Sequence, residues 1–225
     1  MKIVVSKLIS VLRAHYRRSR APVAELTRCR GSSPFKTLVA TILSSRTLDQ
    51  TTALACKKLF SVARKSIDLD NISLRELEKL IYPVGFYRVK ARQLKKLPEA
   101  LEREFGGRIP DTAEKLMRLP GVGRKTANLV ASTVFGRDEI CVDVHVHRIS
   151  NRLGLVRTKS PNETEQALRR VIPGKYWREL NHLLVAFGQT ICRPVNPDCP
   201  QCQLRNSCLY FRNSSVRQHR SGQQG

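Results

Sequence analysis

Leu116-Met117-Arg118-Leu119-Pro120-Gly121-Val122-Gly123-Arg124-Lys125-Thr126-Ala127-Asn128 is the stretch from which the rest of the chain is read. Pro120 ends one helix, because proline removes a donor from the ladder, and another helix starts at once from Arg124. Between them two glycines flank one apolar residue. Gly121 and Gly123 can turn their N–H groups toward one point, where the following helix N-terminus adds partial positive charge. Such a turn holds one phosphate oxygen without reading sequence, with Val122 plugging it into the core and Arg124 beside it. The plainer alternative is a tight helix–helix turn, which glycine and proline make in many proteins.

Charge weighs between the two. The 225 residues carry 41 Lys+Arg against 18 Asp+Glu, a formal charge of +23. An excess of that size repels itself and is explained by a polyanionic partner, either nucleic acid or an anionic membrane surface. It names a class of partner and no activity, since packing proteins share it. The apolar fraction of 41% allows a real core, in one large domain or two smaller ones.

A membrane or export role is disfavoured. No apolar run approaches the roughly 20 residues needed to span a bilayer. Met1 to Tyr16 is interrupted by Lys7 and Arg13, while Val4, Leu8, Val11 and Leu12 fall at helical spacing with no cleavage pattern after them. The segment is expected to be an amphipathic helix and not a signal peptide. Seven cysteines, an odd number, fit a reducing intracellular compartment, cytoplasm or nucleoid, better than a disulfide scaffold.

Helix signals recur along the chain and strand signals are nearly absent, so the expected fold class is all-α. Ser33-Pro34 opens a helix with an apolar stripe at Phe35, Leu38, Val39, Ile42 and Leu43. Ser73 with Glu76 is a capping box for a helix to about Ile81. Further helices are expected over Arg88–Phe105, from Thr112 to Met117, over Arg124–Phe135, from Asp143 to about Leu153, from Ser160-Pro161 to Ile172, and over Tyr176–Phe187. The tail 212–225, without apolar periodicity, is expected to be disordered. Gly85-Phe86-Tyr87-Arg88 faintly echoes Gly121-Val122-Gly123-Arg124, each a glycine turn before an Arg-led helix.

Lys125 stands in the first helical turn after the hairpin, where the helix dipole opposes its positive charge and partial burial would act in the same sense. Lysine is the residue that forms Schiff bases with carbonyl carbons, although 41 basic residues make a phosphate contact the default for any one of them. Asp143 follows the apolar run Ile140-Cys141-Val142. As an N-cap it is held ionised, ready to take a proton or to stabilise a cationic sugar-like transition state. His145 and His147, two apart, lie on different helix faces and are assigned no metal. Cys192, Cys199, Cys202 and Cys208 crowd into 17 residues with the spacing C-x6-C-x2-C-x5-C. Four thiolates at that density suit a tetrahedral zinc or an iron–sulfur cluster, and Arg193 and Arg205 within the loop can offset cluster charge.

Taken together, LPGVGRKTAN at 119–128, VDVH at 142–145 and the four-cysteine spacing resemble the endonuclease III family of DNA glycosylases and abasic-site lyases. The resemblance runs from about Lys7 to Cys208. It implies a helix-hairpin-helix glycosylase fold, with a six-helix domain over 26–137 and a second domain of 1–25 and 138–211 carrying the cysteine loop. It implies Lys125 and Asp143 as the catalytic pair, and a [4Fe-4S] cluster on the four cysteines. The implied partner is double-stranded DNA with damaged bases or abasic sites, bound by a monomer and with the damaged nucleotide flipped out. Arg46, in Leu43-Ser44-Ser45-Arg46-Thr47, stands where the family usually has a glutamine that fills the vacated gap, and Phe86 stands at the wedge position. Oxidised pyrimidines are the implied lesions. The rivals are a monofunctional mismatch or uracil glycosylase, which usually lacks the lysine, and a non-enzymatic helix-hairpin-helix DNA-binding module.

Overall fold

Among the described residues, five helices begin where a capping side chain accepts from an N–H group of their first turn. The computed structural model describes residues 3–213, and among them the elements are α-helices and 3-10 turns without strands. The chain divides into two units, one of Met1–Ala21 with Ile140–Gly225 and one of Pro22–Glu139. Helix α1 (Val5–Arg18) belongs to the first. Its inward stripe is Leu8, Ile9 and Leu12, whereas Val4, expected on that stripe, is exposed.

The second unit opens with α2 (Pro22–Arg30), followed by α3 (Pro34–Ser44) and α4 (Asp49–Val62). Ser33 Oγ accepts from Lys36 N at 3.3 Å and Pro34 fills a position that lacks a partner in any case, so α3 begins there. Its expected stripe is buried, and Thr37, Ala40 and Thr41 are buried as well. A helix buried around most of its circumference is a central one, not a surface helix. Then come α5 (Leu74–Ile81), capped by Ser73 Oγ on Glu76 N at 3.2 Å, α6 (Tyr87–Lys95) and α7 (Leu97–Phe105).

One helix over Arg88–Phe105 was the expectation, and the structure divides it at Lys96. Pro98 has no N–H to continue the ladder, so α7 starts anew with proline in its first turn. It ends at Gly106, in the left-handed region at φ 58. Helix α8 (Ala113–Leu116) is a single turn capped by Thr112, and α9 (Arg124–Phe135) closes the unit. Six long runs remain when α6 and α7 are counted together and α8 is set aside. The unit's core gathers Leu38, Val39, Leu43, Leu94, Val122 and Val130 around α3.

The first unit resumes with α10 (Val144–Leu153), α11 (Pro161–Val171) and α12 (Trp177–Thr190). Its core joins Leu8 and Leu12 of α1 to Val146, Ile149, Leu184 and Phe187. Arg13 makes two hydrogen bonds to the Glu179 carboxylate, at 2.8 and 2.6 Å, and His15 Nε2 lies 2.7 Å from Thr190 Oγ1. These contacts tie the N-terminal helix to the C-terminal third of the chain. The expected disordered tail began at Arg212. Residues 209–213 are helical, so Arg212 and Asn213 correct that expectation, and 214–225 lie outside the described residues.

Candidate functional site

Local packing gives each residue of the hairpin a different task. Val122 N donates to Leu119 O at 3.2 Å, closing the turn, and Val122 is 8% exposed in the core. Gly121 has φ 77, and a Cβ there would lie 2.7 Å from Gln93 Oε1 and 2.9 Å from Gln93 Cδ. Conformation requires glycine at that position, whereas the end of the flexible Gln93 side chain can swing aside. Gly123 differs. Its φ of −94 suits any residue, and an added Cβ would meet nothing within 4 Å. The protein itself does not demand a glycine at 123, and the open space is on the exposed side.

Among the described residues neither the Gly121 nor the Gly123 N–H donates to another protein group. The first turn of α9 contains Arg124 and Lys125 and no acid, the reverse of the usual preference at a helix N-terminus. An external anion completes such a turn. Lys125 is exposed there and not partly buried, open to an incoming strand.

A second group lies in the same unit. Arg46, between α3 and α4, has φ 52, and Phe86, at the start of α6, has φ 56. A non-glycine residue in this region costs roughly 1–3 kcal/mol and persists only where its surroundings hold it. The Arg46 guanidinium carbon lies 5.5 Å from the centroid of the Phe86 ring, and Phe86 is 59% exposed. Residues placed separately in the sequence thus form one exposed stack. Beneath them Lys90, which sequence reasoning did not single out, is buried with its ammonium on the Arg46 segment.

In the other unit, Asp143 Oδ1 accepts from His145 N and Val146 N, both at 2.9 Å, and so caps α10. The buried run Ile140, Cys141 and Val142 anchors the approach to it. His147 Nδ1 lies 2.6 Å from Thr164 Oγ1, and His145 Nδ1 lies 3.2 Å from an Arg148 nitrogen, so the two imidazoles serve different neighbours.

Cys192, Cys199, Cys202 and Cys208 line one pocket, walled by apolar side chains such as Phe187 and Ile191. Burial pushes the Cys199 and Cys208 thiols up and the Cys202 thiol up to about 11. Among the described residues the thiols are not gathered on a single point as one metal ion requires, but stand around the pocket wall.

Two arginines that the sequence did not mark secure the loop. Arg152 donates to Arg193 O at 2.6 Å, to Pro194 O at 2.8 Å and to Cys192 Sγ at 3.6 Å, and Arg148 donates to Cys192 O at 2.9 Å. Arg193 and Arg205, the expected charge partners, donate instead to Asn196 O and Pro200 O within the loop. Their position near the cysteines was legible. Their use as loop braces was not.

Residues 39–174 match the family model described as HhH-GPD superfamily base excision DNA repair protein. Endonuclease III of Thermotoga maritima is 46% identical over 181 residues, covering 80% of this chain and 85% of that protein. Endonuclease III-like protein 1 of Gallus gallus is 39% identical over 211 residues, covering 88% of this chain and 74% of that protein. Among solved structures, a trapped endonuclease III–DNA covalent intermediate in an estranged-adenine complex matches with TM-score 0.81 and 34% identity, over 95% of this chain and 99% of that one. A thermostable thymine-DNA glycosylase matches with TM-score 0.79 and 25% identity, over 92% of this chain and 96% of that one.

Proposed function

Because the chain belongs to the endonuclease III family, within the HhH-GPD superfamily of base excision DNA repair proteins, we propose that it is a bifunctional DNA glycosylase and abasic-site lyase acting on damaged duplex DNA. The observation that carries the reading is the start of α9, where exposed Lys125 stands beside two unengaged glycine N–H groups in a turn without acids. The turn grips a backbone phosphate and leaves the lysine amine facing the sugar. A solved relative in this family is a trapped endonuclease III–DNA covalent intermediate.

In this reaction the Lys125 nitrogen bonds to C1′ while the bond from C1′ to the base breaks, and the electron pair leaves with the base. Asp143, fixed as the cap of α10, stabilises the cationic sugar and takes the proton that the amine loses. Opening of the sugar ring gives a Schiff base, which acidifies the C2′ hydrogen. Loss of that proton expels the 3′ phosphate and nicks the strand.

The four cysteines fit a [4Fe-4S] cluster. Four thiols lining one apolar pocket suit a soft metal centre, and the family resemblance favours the iron–sulfur cluster over a single zinc. Arg152, at 3.6 Å from Cys192 Sγ, offsets part of the thiolate charge. When bound, the cluster supplies a covalent anchor for the loop. Iron and sulfide analysis of the purified protein tests this, and zinc alone would overturn it.

The test of the whole reading is borohydride trapping on duplexes carrying an oxidised pyrimidine or an abasic site. Wild-type protein should give a covalent adduct and a nicked strand, and Lys125→Gln should give neither. An adduct that persists in that variant overturns the assignment of Lys125. Base release without nicking points to a monofunctional enzyme, and salt-sensitive binding without product points to a binding module. Arg46 in place of glutamine bears on substrate choice, so the panel includes uracil and mismatched thymine; the proposed class is oxidised pyrimidines.

A further inference from the structure

Lys90 is 4% exposed in the first turn of α6. Its ammonium donates to Leu43 O at 2.8 Å, Ser45 O at 2.6 Å and Thr47 Oγ1 at 3.3 Å. Three N–H bonds meet three acceptors, all in the segment that carries Arg46. The Thr47 oxygen also accepts from Gly85 N at 3.0 Å, so it joins that segment to the one carrying Phe86. A Cβ on Gly85 would lie 2.5 Å from Arg46 O, and glycine is therefore what lets the two segments approach.

Directly above this junction stand the two left-handed residues, Arg46 and Phe86, stacked on each other. The strain at both is held by the bonds beneath them. A buried lysine is an expensive way to fill space, since its charge loses water and an apolar chain would not. Burial alone holds the Lys90 amine down at about 8. What the ammonium supplies, and an apolar chain cannot, is three directed bonds that fix the path of 43–47. The same helix α6 carries Gln93, whose side chain packs against Gly121 of the phosphate turn. Wedge and grip share one mount.

We propose that Lys90 is a positioning residue that locks Arg46 and Phe86 into a single two-part wedge, which enters the gap left by the extruded nucleotide. The inference rests on the repair function proposed above. Lys90 touches neither the sugar nor the base, so its loss falls on extrusion and spares the chemistry of Lys125. Extrusion costs most for a paired, stacked base and least for one already unpaired. The defect should therefore depend on the state of the substrate.

Single-turnover base release is measured on one lesion in two settings, paired in a duplex and facing an abasic position, with 2-aminopurine beside it to report unstacking. Lys90→Met should slow the paired substrate about tenfold and the unpaired one by no more than about twofold, with loss of the 2-aminopurine rise. Lys90→Arg, which keeps a cation with several donors, should recover part of the loss. Gly85→Ala forces the two segments apart with Lys90 intact and should reproduce the same selective defect; it decides the matter if Lys90→Met does not fold. Equal slowing of both substrates by folded variants, or an unchanged 2-aminopurine signal, overturns the proposal. A wild-type protein that releases no base from either substrate overturns the repair reading instead.

Discussion

Two glycine-led turns, each followed by a helix with a lysine near its start, are built to opposite plans. In Gly121-Val122-Gly123 the apolar residue is sealed into the core and Lys125 is exposed. In Gly85-Phe86 the apolar residue is 59% exposed and Lys90 is buried. The glycines also differ. Gly121 is needed for its left-handed backbone, and Gly85 for its distance from Arg46 O. The faint sequence echo between the turns is therefore a shared frame with inverted sides. One turn presents unengaged backbone N–H groups and an amine at the surface, and the other presents an aromatic ring supported by an amine from within.

Exchanging the apolar residues for aspartate tests that inversion most severely. Val122→Asp places a carboxylate in the core of its unit and should cost several kcal/mol, enough to abolish cooperative melting of a marginal domain. Phe86→Asp should change stability by less than about 0.5 kcal/mol, since the side chain is exposed, while removing the proposed wedge. Thermal melts read the first effect, and base release from a paired lesion reads the second. Similar melting losses for both would show that Phe86 is a packing residue and end the comparison.

A smaller contrast lies within the hairpin. Gly121→Ala must adopt a left-handed backbone and push against Gln93, for a loss of roughly 1–3 kcal/mol. Gly123→Ala meets neither obstacle and should stay within about 1 kcal/mol of wild type. Its methyl group enters the space assigned to the phosphate, so it should weaken binding to undamaged duplex more than Gly121→Ala does once both are compared below their melting points. The salt dependence should not change, because no charge is removed. If Gly123→Ala binds as tightly as wild type, the open face of the turn is not where the phosphate sits.

These contrasts also show what the sequence could reveal. Val122 as a plug was legible from the Gly-Val-Gly pattern, and the caps at Asp143, Ser33, Ser73 and Ser160 because each depends on residues within four positions. Helices α2 and α4 were not. The buried face of α4 uses small or mixed residues such as Ala53, Ala55 and Cys56, and α2 buries only Val23 and Leu26, so neither leaves a strong apolar stripe. Lys90 was invisible for a different reason. Its acceptors lie more than forty residues away, and two of them are backbone carbonyls, which every sequence contains. Arg152 escaped in the same way, since its donors meet the carbonyls of Arg193 and Pro194. A side chain that bonds to distant backbone leaves no pattern to read.

The last prediction concerns the buried lysine and its proton. Burial holds Lys90 at about 8 in the folded protein, below the ordinary lysine value of 10.5. Below about pH 8 the group is charged in both states, and the cost of burying it is fully present. Between about 8 and 10.5 the unfolded chain holds the proton and the folded chain has lost it. More protons are then bound in the unfolded state, and the contribution of this group to stability rises with pH. Subtracting the melting profile of Lys90→Met cancels the other titrations. Wild type should gain on that variant as pH rises from neutral to about 10. A difference that stays flat would mean that the folded protein holds the Lys90 proton as firmly as the unfolded chain. The neutral amine retains two N–H groups for three acceptors, so the added stability comes with a looser hold on the Arg46 segment.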